Sequence, residues 1–148
     1  MHSFADSTGN TWIINITIGA AKRVRDLAGV DLLALTEGDP PLMTHLETDI
    51  ALLCDVIFAI VRPQAEKINI NDTQFAELLG GEVIRTAHDA FWSALLDFFR
   101  SLGREDTARA IEKQNELLQA VVRASRERIE AISTAEVIGE AIGEPSVS

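Results

Sequence analysis

Polar and apolar positions alternate in Thr11-Trp12-Ile13-Ile14-Asn15-Ile16, which places Trp12, Ile14 and Ile16 on one face at a period of two. Phe4 lies upstream of a Ser7-Thr8-Gly9-Asn10 turn cluster, so the segment predicts a β-hairpin with strands near residues 2–5 and 11–16. A lone hairpin is marginal in water, and its apolar face must therefore lie on helices. The period then changes. Ala20, Val24 and Leu27 recur at helical spacing between Thr17, a good N-cap, and Gly29, which suits a left-handed C-terminal cap. Val30-Asp31-Leu32-Leu33-Ala34-Leu35 fits either a strand or a helical turn, and Thr36-Glu37-Gly38-Asp39-Pro40-Pro41 is a loop. A short helix is expected from Pro41 to Leu46, with proline in its first turn.

Thr48 is expected to cap the most apolar helix of the chain. The residue before a proline is pushed out of helical geometry, so this helix is expected to end near Arg62-Pro63. Ala51, Asp55, Ala59 and Arg62 form one stripe of small and charged groups on it, and solvent or a partner should meet the helix only there. Asn71-Asp72-Thr73-Gln74 has the side chains of a capping box and opens a short helix over 72–79, closed by Gly80-Gly81. From Val83 to Leu102 the apolar residues, among them Phe91, Phe98 and Phe99, trace steps of three and four until Gly103 stops them. With Trp92 this makes the aromatic wall of the core.

Arg104 to Ile132 lacks Gly and Pro and reads as one long polar helix. Written as heptads, Ile111, Leu118, Ser125 and Ile132 take one seam position and Asn115, Val122 and Ile129 the other. A seam two positions wide gains less on a globular core than the broader stripe of an ordinary surface helix. Ile111, Asn115, Leu118, Val122, Ile129 and Ile132 are therefore the expected partner-binding or self-association positions, the alternative being a loosely docked or frayed extension. Residues 133–148 mix Gly, Ser, Glu and Pro and are expected to form a mobile acidic tail. The predicted fold class is mainly α: a globular helical domain over 1–103 with an N-terminal β-hairpin, a long helix over 104–132, and the tail.

Composition narrows the function. The chain has 148 residues and a net charge of −10, a sign that opposes coating nucleic acid or an anionic membrane. The body over 1–103 is acidic, residues 104–132 are balanced, and the tail carries only acids. Met1-His2-Ser3-Phe4-Ala5-Asp6 has neither the positive start nor the apolar stretch of a secretory signal. The apolar run Ile50–Val61 would rise about 18 Å as a helix, short of a hydrocarbon slab of about 30 Å, so no membrane span is expected. Cys54 is alone, which excludes an intrachain bridge and is compatible with a reducing compartment.

Convergent chemistry is sparse. His45 and Asp49 are four apart but separated by the expected break at Thr48, and two groups leave a metal unsaturated, so a surface hydrogen bond is expected. His88 and Asp89 are adjacent and point to different faces. Cys54 within the apolar helix reads as a small hydrophobe. Lys22, Arg23 and Arg25 read either as an anion-binding patch or as cations at the negative end of a helix dipole, the second being preferred. Asp97 and Arg100 are expected to pair along their helix. Gly80-Gly81 lacks the spacing and lysine of a phosphate loop. No enzyme, cofactor or metal site is expected.

The phrases Phe4-Ala5-Asp6, Gly9-Asn10-Thr11-Trp12-Ile13-Ile14-Asn15-Ile16, Ala21-Lys22-Arg23-Val24-Arg25-Asp26-Leu27, Gly29-Val30-Asp31-Leu32-Leu33 and Leu52 to Glu66, followed by Phe75, Ala76, Leu79, Gly81 and the helix to Phe98-Phe99, resemble the tail assembly chaperones of tailed-phage morphogenesis modules. The resemblance covers about residues 2–100 and implies a non-enzymatic protein of the bacterial host cytoplasm. Such a protein binds the tape-measure protein, helps recruit the tail-tube protein and is absent from the finished particle. The alternative is a structural neck or tail-completion component. The long helix lies outside the likeness, and whether it also self-associates is left open.

Overall fold

The structure is a computed structural model that describes residues 2–142, with side chains described through Ile132. It is mainly α, with a two-stranded antiparallel hairpin at the N-terminus and a long C-terminal helix, the fold class expected from the sequence. The chain divides into two compact units, the first closing at Ile111 and the second opening at Glu112.

In the first unit, β1 (His2–Ala5) pairs with β2 (Thr11–Ile14) so that Phe4 faces Trp12. Phe4, Trp12 and Ile14 are buried on one face, whereas Ile13 points outward. The strand stops two residues short of the expected end, although Ile16 is still buried. Asp6 organises the turn. Its Oδ1 accepts from the Thr8 and Asn10 backbone N–H groups and the Thr8 hydroxyl, and its Oδ2 accepts from Trp12 Nε1 at 2.8 Å. The outward backbone of Ile13 is met by the Gln64 amide: Oε1 accepts from Ile13 N at 2.9 Å and Nε2 donates to Ile13 O at 2.7 Å.

Thr17 caps α1 (Ile18–Ala28) by accepting from Ala20 N, and Gly29 ends it at φ 72°, a conformation glycine adopts without steric cost. The ambiguous segment after it resolves as a short 3-10 turn, Leu32–Ala34, capped by Asp31. Next come α2 (Leu42–Thr48), α3 (Ile50–Lys67), α4 (Asp72–Glu77) and α5 (Glu82–Ser101). The capping box of Asn71 and Gln74 forms with both bonds present. Helix α3 is the hub, packed against α1, α2, α4, α5 and β2. Phe75 of α4 meets the Trp12 ring edge-on at 5.0 Å and the Phe58 ring at 5.3 Å, which joins hairpin, α3 and α4 through three aromatic groups.

Three expectations about α3 need correction. Its cap is Asp49, which accepts from Leu52 N at 3.0 Å; the Thr48 hydroxyl is already committed to Thr44 O inside α2. Ala59 is fully buried, so the outer stripe is interrupted there. The helix also runs through Pro63 to Lys67 rather than stopping before it. Proline has no N–H for the carbonyl four residues back, here that of Ala59. Arg23 of α1 supplies the donor: Nε reaches Ala59 O and a terminal guanidinium nitrogen reaches Ile60 O, both at 3.0 Å.

The last helix, α6, spans Glu105–Ile142. Its first turns belong to the body, because Thr107, Ala108 and Ile111 are buried, so the compact region extends past the expected boundary at 103. Helical backbone also continues ten residues beyond the expected end at Ile132. Of the expected tail, residues 143–148 lie outside the described residues.

Candidate partner-binding surface

The six seam positions of α6 do not share one fate. Ile111 is buried in the core and is a core residue, not the expected partner contact: Gly103 lets the chain turn back, and the first two turns of α6 close over the body. Asn115 and Leu118 are half-buried. Val122, Ile129 and Ile132 are 50%, 64% and 56% exposed. Two large aliphatics outside the heptad pattern, Leu117 and Val121, are 59% and 61% exposed.

At 100° per residue, Leu117, Leu118, Val121, Val122, Ile129 and Ile132 fall within an arc of about 140°. The ridge is therefore broader than the two-position seam read from heptads. It has the width of a stripe that ordinarily faces a core, yet most of it is exposed. A strict seven-residue template misses Leu117 and Val121 because they occupy the flanking positions; counting i, i+4 aliphatic pairs would have found them.

The polar candidates are placed as follows in the fold. Glu47 of α2 holds His88 of α5, with both carboxylate oxygens 3.0 Å from Nε2, while Nδ1 lies 3.1 Å from Asp89. The hydrogen bond to Glu47 raises the His88 pKa above its usual 6.5, burial opposes that, and the bond to Asp89 with the two nearby charges adds to it. His45 is exposed, and Asp49 is occupied as the α3 cap. Burial pushes the Cys54 thiol up to about 11, with the Asp55 charge adding to it, so the sulfur is protonated at neutral pH and a poor nucleophile. Arg23 braces α3 and does not join Lys22 and Arg25 in an anion patch. Asp97 is bonded to His2 of β1 at 2.6 Å, not committed solely to its own helix. Among the described residues no group of three or more His, Cys, Asp or Glu is placed to hold a metal, and no helix is long and apolar enough to cross a membrane.

Comparison of the chain with protein-family models, with curated proteins and with solved structures finds no match.

Proposed function

We propose that this protein is a non-enzymatic assembly chaperone of the phage-tail type, holding a helical segment of the tape-measure protein along the ridge of α6 and helping to bring in the tail-tube protein in the host cytoplasm. The observation that carries the proposal is the exposure of Leu117, Val121, Val122, Ile129 and Ile132 on one side of a helix. Each such side chain is worth about 1.5–3 kcal/mol when taken fully out of water. A long helical partner is the natural occupant, since helix-on-helix packing reads anchors at three- and four-residue spacing. The phrases in residues 2–100 that resemble tail assembly chaperones favour the tape-measure protein among such partners.

Co-expression with a tape-measure protein from the same genome, followed by affinity capture, tests the reading. A complex that survives washing and is lost in Val122→Asp supports it; no complex with the wild-type chain defeats it. Stoichiometric presence of the chain in purified particles would instead assign it to the neck or tail-completion parts.

A further inference from the structure

A groove of about 620 Å³ runs along the outer face of α3, between the end of α1 and the turn into α4. Leu27, Phe58 and Ile70 give it an apolar lining, and Asp55, Glu66 and Asp72 give it carboxylates. Arg62 also lines it and donates from Nε to Glu66 Oε1 at 3.1 Å, so that cation is matched within the groove. Asp55 and Asp72, both exposed, carry the charge left over. Leu27 is 45% exposed and Phe58 partly so, and both offer apolar surface to the groove. From Asp55 to Glu66 the groove follows three turns of helix, a rise of about 16 Å, which is longer than a small amine and matches a stretch of polypeptide.

We propose that this groove docks a basic-aliphatic peptide segment of a partner protein. Its aliphatic side chains lie on Phe58 and Ile70, and its Lys or Arg heads lie beside Asp55 and Asp72. The fit is one of charge and shape together. Nucleic acid and anionic lipid are repelled by the same carboxylates, and a purely apolar segment would strand Asp55 and Asp72 beneath it without counter-charge. The proposal stands apart from the α6 ridge, because every residue it uses lies in the first unit.

The probe is a fluorescent synthetic helix of Lys and Leu, with a Lys/Ser peptide of equal charge and a Glu/Leu peptide of equal apolarity as controls, titrated against the full chain at physiological salt. The Lys/Leu peptide is expected to bind saturably, and each control at least about tenfold more weakly. Asp55→Asn with Asp72→Asn should weaken the Lys/Leu peptide by about tenfold, while Glu116→Gln with Glu127→Gln, the same change of charge on α6, should leave binding unchanged. Phe58→Ala checks the apolar half, and melting curves confirm that each variant is folded. Equal binding of the Lys/Ser peptide, or equal loss in the α6 variant, reduces the effect to net charge and overturns the proposal. A chain that sediments as a dimer and becomes monomeric on Asp55→Arg puts a second copy in the groove and overturns it as well.

Discussion

The guanidinium of Arg23 donates to the carbonyl of Ala59, the acceptor that Pro63 leaves without its helical partner. A second bond, to Ile60 O, makes the guanidinium a brace between α1 and the point where α3 would otherwise break. Bonds from a charged donor to partly buried acceptors are each worth more than neutral ones. Arg23→Ala is expected to destabilise the body by about 2–4 kcal/mol in urea denaturation. Pro63→Ala restores an N–H to Ala59, so the same Arg23 substitution in that background should cost about 1 kcal/mol less or better. An unchanged cost in the double variant would separate the two residues.

Acid should act through Asp6. Burial alone would raise its pKa, but the bonds from Trp12, Thr8 and Asn10 outweigh burial and hold it down from 3.8 to about 2. The carboxylate is thus more acidic in the folded than in the unfolded chain, and its stabilisation is present above pH 3.8 and lost as pH falls toward 2. The shift corresponds to about 2 kcal/mol at neutral pH. Asp6→Asn should lower the melting temperature at pH 7 and flatten the acid limb of the stability curve, followed by circular dichroism.

His88 works in the opposite sense. Its folded pKa is raised, so the bond between its imidazolium and Glu47 stabilises the fold fully below the unfolded value of 6.5 and fades as pH climbs through the higher folded value. His88→Gln should remove this slope, and Glu47→Gln should remove most of it. A melting temperature that falls equally above pH 6.5 in the wild type and in His88→Gln would contradict the assignment.

Two isoleucines of one helix should behave as different kinds of residue. Ile111 is fully buried, and Ile111→Ala should cost about 2–5 kcal/mol. Ile129 is 64% exposed, and Ile129→Ala should leave stability within about 0.5 kcal/mol. Under the proposed function, only the second should weaken capture of a tape-measure protein while leaving the body intact. Denaturation of both variants beside the co-expression assay checks the pair.

Local rules made most elements legible. Thr17, Gly29 and the Asn71/Gln74 box mark helix ends through side-chain chemistry within a few residues, and each is found where the pattern placed it. The hairpin followed from alternation around Trp12 and Ile14. What stayed hidden was set by distance along the chain. Pro63 looked like a helix end because its remedy, Arg23, lies on another helix. Thr48 and Asp49 are both good caps, and only the hydroxyl's bond to Thr44 decides between them. Ile111 and Ile129, eighteen residues apart, fall on the same face at 3.6 residues per turn, and no pattern tells that the first is buried in the core and the second exposed. The groove was half visible as the Asp55–Arg62 stripe, but Leu27 and Asp72 join it only through folding.

The Gln64 amide on Ile13 has a consequence for how copies behave when crowded. An outermost strand whose main-chain donors and acceptors face water is a template on which a stranger can add itself, rung by rung, toward fibrils. Gln64 imitates such a rung with a single side chain and then ends the ladder, because no further backbone follows it. The outer side of β2 is thereby closed at Ile13, the rung on which an added strand would otherwise begin.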